Sequence, residues 1–256
     1  MRSVDRPAQS TLAAPALSEC VAVVTGASSG IGRAIALGLA AEGATLCLVG
    51  RRVEALEAVA ESARAGASRV AVCRADLTRD HETLQLAARL PRDVGPVDIL
   101  VHAAGVISRG LIEQAAVEDF DTQFRTNVRA AYLLTQALLP MLRARQGQVV
   151  FLNSSAGLAA RAGVSQYAAT KAALKAFADS LREEVNADGV RVMSVFLGRT
   201  ATPMQAAVHE AEGRAYHPER LIRPEDVASI VVSALRLPRS VEVTEIKLRP
   251  LQKPEA

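Results

Sequence analysis

Short β-branched runs alternate along the chain with longer segments in which apolar residues recur every three or four positions. This is the pattern of repeated β-α units and a parallel sheet. The runs are Val21–Thr25, Thr45–Val49, Arg69–Cys73, Asp98–Val101, Gln148–Asn153, Val190–Phe196 and Glu242–Leu248. Several are apolar almost without interruption, as strands covered on both faces are. Between them, Ile31, Ile35 and Leu39 mark one helical stripe and the Ala/Leu-rich Val128–Arg145 another. No low-complexity linker or repeat interrupts the alternation. The pattern predicts an α/β fold with one doubly wound parallel sheet of about seven strands and helices on both faces, with residues 20–256 as a single domain.

Composition narrows the class. At 256 residues, 50% hydrophobic and 22% charged, the chain has the makeup of one globular domain able to bury its own core. The cysteines Cys20, Cys47 and Cys73 are odd in number, lie among apolar residues and form no C-x-x-C pair. They read as small core residues of a reducing, cytoplasmic compartment, which excludes a secreted disulfide scaffold. The longest apolar stretches fall short of the ~20 residues a membrane span needs. Residues 1–19 lack a signal peptide's unbroken apolar core and are expected to be a disordered leader. The net charge of +3 comes from 30 basic and 27 acidic residues interspersed along the chain, and no Trp is present. Neither a basic block nor a stacking platform for nucleic acid is offered.

The first strand runs into Thr25-Gly26-Ala27-Ser28-Ser29-Gly30-Ile31-Gly32-Arg33, and an apolar-periodic helix follows. Glycines there let the backbone approach a pyrophosphate while the helix N-terminus presents N–H groups to it. A glycine-rich turn that holds nothing is the plainer reading, and the place after the first strand favours a dinucleotide. At the end of the second strand an acidic residue would bond the adenosine ribose, but the sequence has Gly50-Arg51-Arg52. Arg51 suits a 2′-phosphate, with Arg33 as a second charge, so the cofactor expected is NADP(H).

Tyr167-Ala168-Ala169-Thr170-Lys171 opens a long helix, and Tyr167, Lys171, Leu174, Ala178, Leu181 and Val185 share one face. A lysine leading off a buried face needs a reason. A phenol titrates near 10 and an ammonium one turn away favours the phenolate, so the pair predicts a Tyr167 tuned down toward working pH as an acid/base. A core tyrosine with a snorkelling lysine is the structural alternative. Upstream, the strand Gln148–Asn153 leads into Ser154-Ser155, at the sheet edge where ligands bind. Asn127, inside the apolar-periodic stretch 120–145, predicts a kink or a bound water.

With these residues in place, the chain resembles the short-chain dehydrogenase/reductase family, in its NADP-preferring branch, over about Cys20 to Pro250. The resemblance implies a Rossmann-like fold and a metal-free transfer of hydride between a nicotinamide and a ketone or secondary alcohol, a small 3-hydroxy acid being one such substrate. It implies that Gly26, Ser28, Ser29, Gly30, Ile31 and Gly32 form the cofactor turn and that Asp76, beside Leu77, meets the adenine amino group. Ala104 and Gly105 would line the cofactor, and Thr202 would bond its carboxamide. Tyr167 is then the acid/base, and Lys171 tunes it and holds the nicotinamide ribose. Ser154 matches the serine that polarises the carbonyl, in preference to Ser155, and Asn127 helps fix a proton-relay water.

Two departures from the family pattern bear on local stability and nicotinamide placement. His102-Ala103-Ala104-Gly105 stands where Asn-Asn-Ala-Gly is usual, with His102 read as a structural stand-in for Asn, and Leu197-Gly198 replaces Pro-Gly. The substrate loop, about 201–222, carries His209, Tyr216 and His217, none in metal-ligand spacing. The resemblance also implies a homo-oligomer, a dimer or tetramer joined through Val128–Arg145 and the Tyr167 helix. The rival class is a cofactor-binding regulator that keeps the fold without the reaction. A nucleotide-sugar epimerase or dehydratase of the same architecture would need a substrate domain for which the chain lacks room.

Overall fold

The computed structural model describes residues 16–252. Seven parallel strands, β1 (Val21–Thr25), β2 (Thr45–Gly50), β3 (Arg69–Arg74), β4 (Ile99–His102), β5 (Gln148–Ser154), β6 (Arg191–Leu197) and β7 (Glu245–Leu248), form one sheet in the order β3-β2-β1-β4-β5-β6-β7. Alternate strand residues feed two cores because side chains leave a strand on opposite faces. On one face Val24, Leu48, Val101 and Leu152 pack against Ile35 and Leu39 of α1 (Gly30–Ala41), Leu56 of α2 (Val53–Ala63) and Val231 of α8 (Pro224–Leu235). On the other, Val23, Val49, Leu100 and Phe151 meet Leu86 of α3 (Asp80–Asp93), Leu134 of α5 (Ala130–Ala144) and Leu174 of α6 (Ser165–Val185). The doubly wound Rossmann-like sheet expected from the alternation is the observed one.

Strand order reverses between β1 and β4, so the connections leaving their paired carboxyl ends run to opposite faces of the sheet and leave a crevice there, the usual ligand position of such sheets. Every residue singled out for chemistry lies on a strand end, a loop or a helix start at that edge, apart from Asn127. That residue sits in a π-helical turn, Arg125–Arg129, between α4 (Val117–Phe124) and α5. The expected kink is therefore an extra residue in the helical turn, a feature that concentrates at functional sites.

Two boundaries differ from expectation. Part of the expected leader packs on the domain: Leu17 is buried and its N–H donates to the Glu42 carbonyl. The remainder of the expected leader, residues 1–15, lies outside the described residues. The last strand starts at Glu245 rather than Glu242, because the Glu242 carboxylate, not a main-chain carbonyl, accepts the Val192 N–H. Cys47 and Cys73 are buried neighbours on β2 and β3, and all three cysteines are free thiols. Among the described residues no helix is long and apolar enough to cross a membrane.

Candidate active site

Thr25, the last residue of β1, ties the crevice together. Its hydroxyl donates to the Val101 carbonyl at 3.2 Å and accepts the N–H groups of Ala103 and Ala104 at 3.1 and 3.2 Å. The glycine turn and the segment after β4 are thereby pressed into contact. Gly26 has φ +66°, and a Cβ there would lie 2.7 Å from the Ala104 nitrogen. At Gly32 a Cβ would come within 2.5 Å of the Gly26 carbonyl oxygen. At Gly30, φ +54°, it would meet the Thr202 methyl at 3.1 Å. Ser29 caps α1 without a side-chain hydrogen bond, so the first N–H groups of the helix keep their capacity to bind an anion. A cradle that side chains would fill, at a helix N-terminus, fits a dinucleotide pyrophosphate.

Beside the cradle, Arg33, Arg51 and Arg52 are exposed. Arg52, which the sequence reading left without a role, donates from Nη2 to the Ser28 hydroxyl at 3.3 Å and so links the end of β2 to the glycine turn. Doubled arginines at a strand end were the available signal. Asp76 accepts the Thr78 N–H at 3.1 Å and its O–H at 2.7 Å. Against the effect of partial burial, these bonds and the charges of Arg51 and Arg79 hold the Asp76 carboxyl below its usual range. It stands as a fixed acceptor next to buried Leu77.

The other half of the crevice is assembled from β5, the π turn and α6. Ser154, at the end of β5, lies beside the Tyr167 phenol, and its oxygen accepts the Ala156 N–H at 3.2 Å. Ser155 points away, exposed, and opens the 3-10 turn Ser155–Gly157. Gly157 lies flat on α6, where a Cβ would meet the Lys171 carbonyl at 2.8 Å. Lys171 is buried, with its ammonium 5.7 Å from the Tyr167 ring centre and donating to the Leu152 carbonyl at 2.9 Å. Neighbouring Asn153 donates to the Lys171 carbonyl at 3.1 Å and accepts the Ser154 N–H at 2.8 Å. This one side chain locks the serine and the lysine into register, and nothing in its sequence context announced it.

Asn127 is buried and fully engaged. Its Oδ1 accepts the Val106 N–H at 2.8 Å, and its Nδ2 donates to the Val106 carbonyl at 2.9 Å and to the Thr170 hydroxyl at 3.0 Å. With both amide hydrogens used, the side chain holds the loop after β4 against α6.

Electrostatics corrects one expectation. Burial pushes the Tyr167 phenol up from its ordinary value, with the neighbouring Ser154 hydroxyl pulling the other way. Burial also lowers the Lys171 ammonium to about 8. The ammonium is turned to the Leu152 carbonyl, and desolvation is the largest influence on the phenol. As arranged, Tyr167 is a protonated acid beside Ser154, rather than a pre-formed phenolate.

The departures from the family pattern have local replacements. His102 is buried, bonds Thr135 through Nε2 at 2.8 Å and stacks on Phe151 at 5.0 Å. Burial lowers its pKa to about 3, so it is a neutral structural residue. Leu197 is buried in β6, and Gly198 donates to the Leu248 carbonyl at 2.8 Å. Thr202 caps α7 (Pro203–Ala211) by accepting the Gln205 N–H at 3.2 Å, with its methyl beside Gly30.

A family model described as short chain dehydrogenase matches residues 20–213. A glycine betaine reductase of Emericella nidulans is 36% identical over 243 residues, which is 93% of this chain and 19% of that protein, so the chain spans about a fifth of that relative's length. An uncharacterized oxidoreductase of Staphylococcus epidermidis is 35% identical over 92% of this chain and 99% of its own. Among solved structures, an alcohol dehydrogenase of Thermococcus sibiricus complexed with 5-hydroxy-NADP superposes with a TM-score of 0.84 at 28% identity, covering 93% of this chain and 99% of that one.

Proposed function

This chain belongs to the short-chain dehydrogenase family, and from that premise we propose that it is an NADP(H)-dependent oxidoreductase interconverting a ketone and a secondary alcohol. When bound, the nicotinamide supplies the hydride chemistry. The residues of this chain supply position and protons. The observation that carries the reading is the buried Lys171 one turn from Tyr167, its ammonium 5.7 Å from that ring, with Ser154 beside the phenol. Ser154 orients the carbonyl oxygen and Tyr167 gives it a proton in reduction, or takes one from the alcohol in oxidation. Lys171 holds the ribose and, once its ammonium leaves the Leu152 carbonyl, stabilises the phenolate that proton transfer leaves behind. Asn127 fixes the loop after β4 against α6. Gly26 to Gly32 cradle the pyrophosphate, Asp76 accepts from the adenine, and Ala104, Gly105 and Thr202 flank the nicotinamide side. Arg51, with Arg33 and Arg52 near it, favours NADP(H), and the Thermococcus structure with an NADP derivative supports that preference. A homo-oligomer through α5 and α6 is part of the reading, in keeping with the half-exposed Tyr132 ring set 5.1 Å from Phe177 between those helices.

NADPH oxidation with a panel of activated ketones and diketones tests the reaction. The wild type turns over at least one of them, and Tyr167→Phe loses about a thousandfold in kcat. Equal rates in the two proteins overturn the mechanism. Tight NADPH binding with no turnover on any substrate assigns the chain to the regulators instead.

A further inference from the structure

The substrate loop is a closed excursion with a distinct neck and a distinct far end. At the neck, Thr200 pairs with Ile222, and the Ala201 N–H donates to the Ile222 carbonyl at 2.8 Å. α7 starts there, beside the glycine turn, and runs outward to Glu212. Glu212 is largely buried, its side chain 12% exposed. Arg199 Nη2 donates to both of its oxygens at 2.8 and 2.9 Å, and Arg109, from the loop after β4, donates to Oε1. That loop is itself docked on the active-site side, since the Gly110 N–H donates to the Gly163 carbonyl at 3.0 Å, four residues before Tyr167. His209 completes the set. An arginine only donates, so His209 Nε2 accepts from Arg199 at 3.0 Å and its Nδ1–H donates to the Gln205 carbonyl at 2.8 Å. The ring also stacks edge-on against Tyr216 at 5.4 Å. Against the effect of its partial burial, Arg199, Arg109 and Arg214 hold the Glu212 carboxyl below its usual range.

We propose that Arg109 and Glu212 are positioning residues for the substrate: their ion pair straps the far end of α7 to the loop after β4 and closes the substrate loop across the mouth of the crevice. The strap rests on the reading of the site as a ketone reductase. Isolated exposed ion pairs contribute little, but here one mostly buried carboxylate is shared by two guanidiniums from separate segments, one at the neck of the loop and one across the mouth. Neither arginine needs to touch the reacting atoms. Their effect falls on how firmly the substrate is held, with the proton transfer at Tyr167 left intact.

Two readouts on the full-length chain test this. Chymotrypsin, which favours bulky apolar and aromatic residues, reads the freedom of the loop at Tyr216, and steady-state kinetics read the grip on the ketone. Arg109→Ala is expected to speed cleavage at Tyr216 and to raise KM for the ketone, each about tenfold, with kcat and the KM for NADPH nearly unchanged. Glu212→Gln does the same, and the double variant is no worse than Glu212→Gln by itself, because the two act through one contact. Arg109→Lys recovers part of the loss. Unchanged cleavage and KM in Arg109→Ala overturn the strap. So does a full Arg109→Ala effect persisting in the Glu212→Gln background, which would put Arg109 directly on the substrate. If the wild type reduces no ketone, the functional reading fails and the proteolysis comparison decides the strap by itself.

Discussion

Around Lys171 the polar side chains are buried and bonded to main chain, whereas around Arg51 the cations stand in solvent. Lys171, Asn127 and Asn153 each reach a carbonyl of another element, so one substitution disturbs several partners. The guanidiniums of Arg33 and Arg51 have no hydrogen-bond partner among the described residues, and that of Arg52 has one, at 3.3 Å on an exposed surface. The first region is over-determined, as a site must be to hold reacting groups within a fraction of an ångström. The second is a charged rim that selects a cofactor by field and adds its contributions almost independently. Damage to the buried region should therefore fall on chemistry, and damage to the rim on affinity for one cofactor.

Lys171→Met is the sharpest way to break the contrast. It keeps the bulk and removes the charge, and kcat/KM should fall by about a thousandfold. Stability should move the other way. The folded-state pKa of about 8 lies below the ordinary 10.5, so the folded protein binds this proton less tightly than the unfolded chain. The charged lysine is thus unfavourable to the fold at pH 7, and that penalty fades as pH rises from 8 through 10.5. Removing it should raise stability by about 1–3 kcal/mol, read as a higher Tm. A variant both inactive and less stable would mean that Lys171 is held for packing and not for chemistry.

At the rim, Arg51→Asp should weaken NADPH binding on the order of tenfold to a hundredfold and leave NADH within about threefold, measured as Kd by fluorescence titration. Its Tm should not move. If NADPH and NADH already bind the wild type equally well, Arg51 does not select the cofactor and the contrast between the two regions loses its functional meaning.

How much of this was legible depended on the range of the interaction. Strands, the glycine turn and the Tyr167–Lys171 stripe follow periods of two to four residues, and all were readable because the signal is local. Ser154 was preferred to Ser155 only through the resemblance, by its spacing to Tyr167 and Gly157. The Thr25 clamp, the Asn153 lock and the Leu152 carbonyl that holds Lys171 were not, since ordinary residues make them across 18 to 79 positions of sequence. The direction of the Tyr167 shift was missed for the same reason. Spacing puts the ammonium one turn away, but only the packed structure shows it turned toward β5, with desolvation dominant.

His102 gives the finest test, because it belongs to the buried region yet takes no part in the chemistry. Its imidazole is neutral and wedged between Thr135 and Phe151, with a pKa lowered to about 3 by burial. The unfolded chain takes up that proton near 6.5. Between pH 6.5 and 3 the unfolded state therefore binds more protons, and stability is lost as pH falls through this window. At pH 5 the single site accounts for about 2 kcal/mol. His102→Asn removes the titration along with the ring stack, so the variant should start with a lower Tm at pH 7.5 and then lose less than the wild type on going to pH 5. Turnover at pH 7.5 should stay within a fewfold of wild type, since the loop after β4 keeps its Thr25 bonds. Parallel acid slopes in the two proteins would show that the ring is not held neutral. A collapse of turnover with unchanged stability would move His102 from the wall of the site into its machinery.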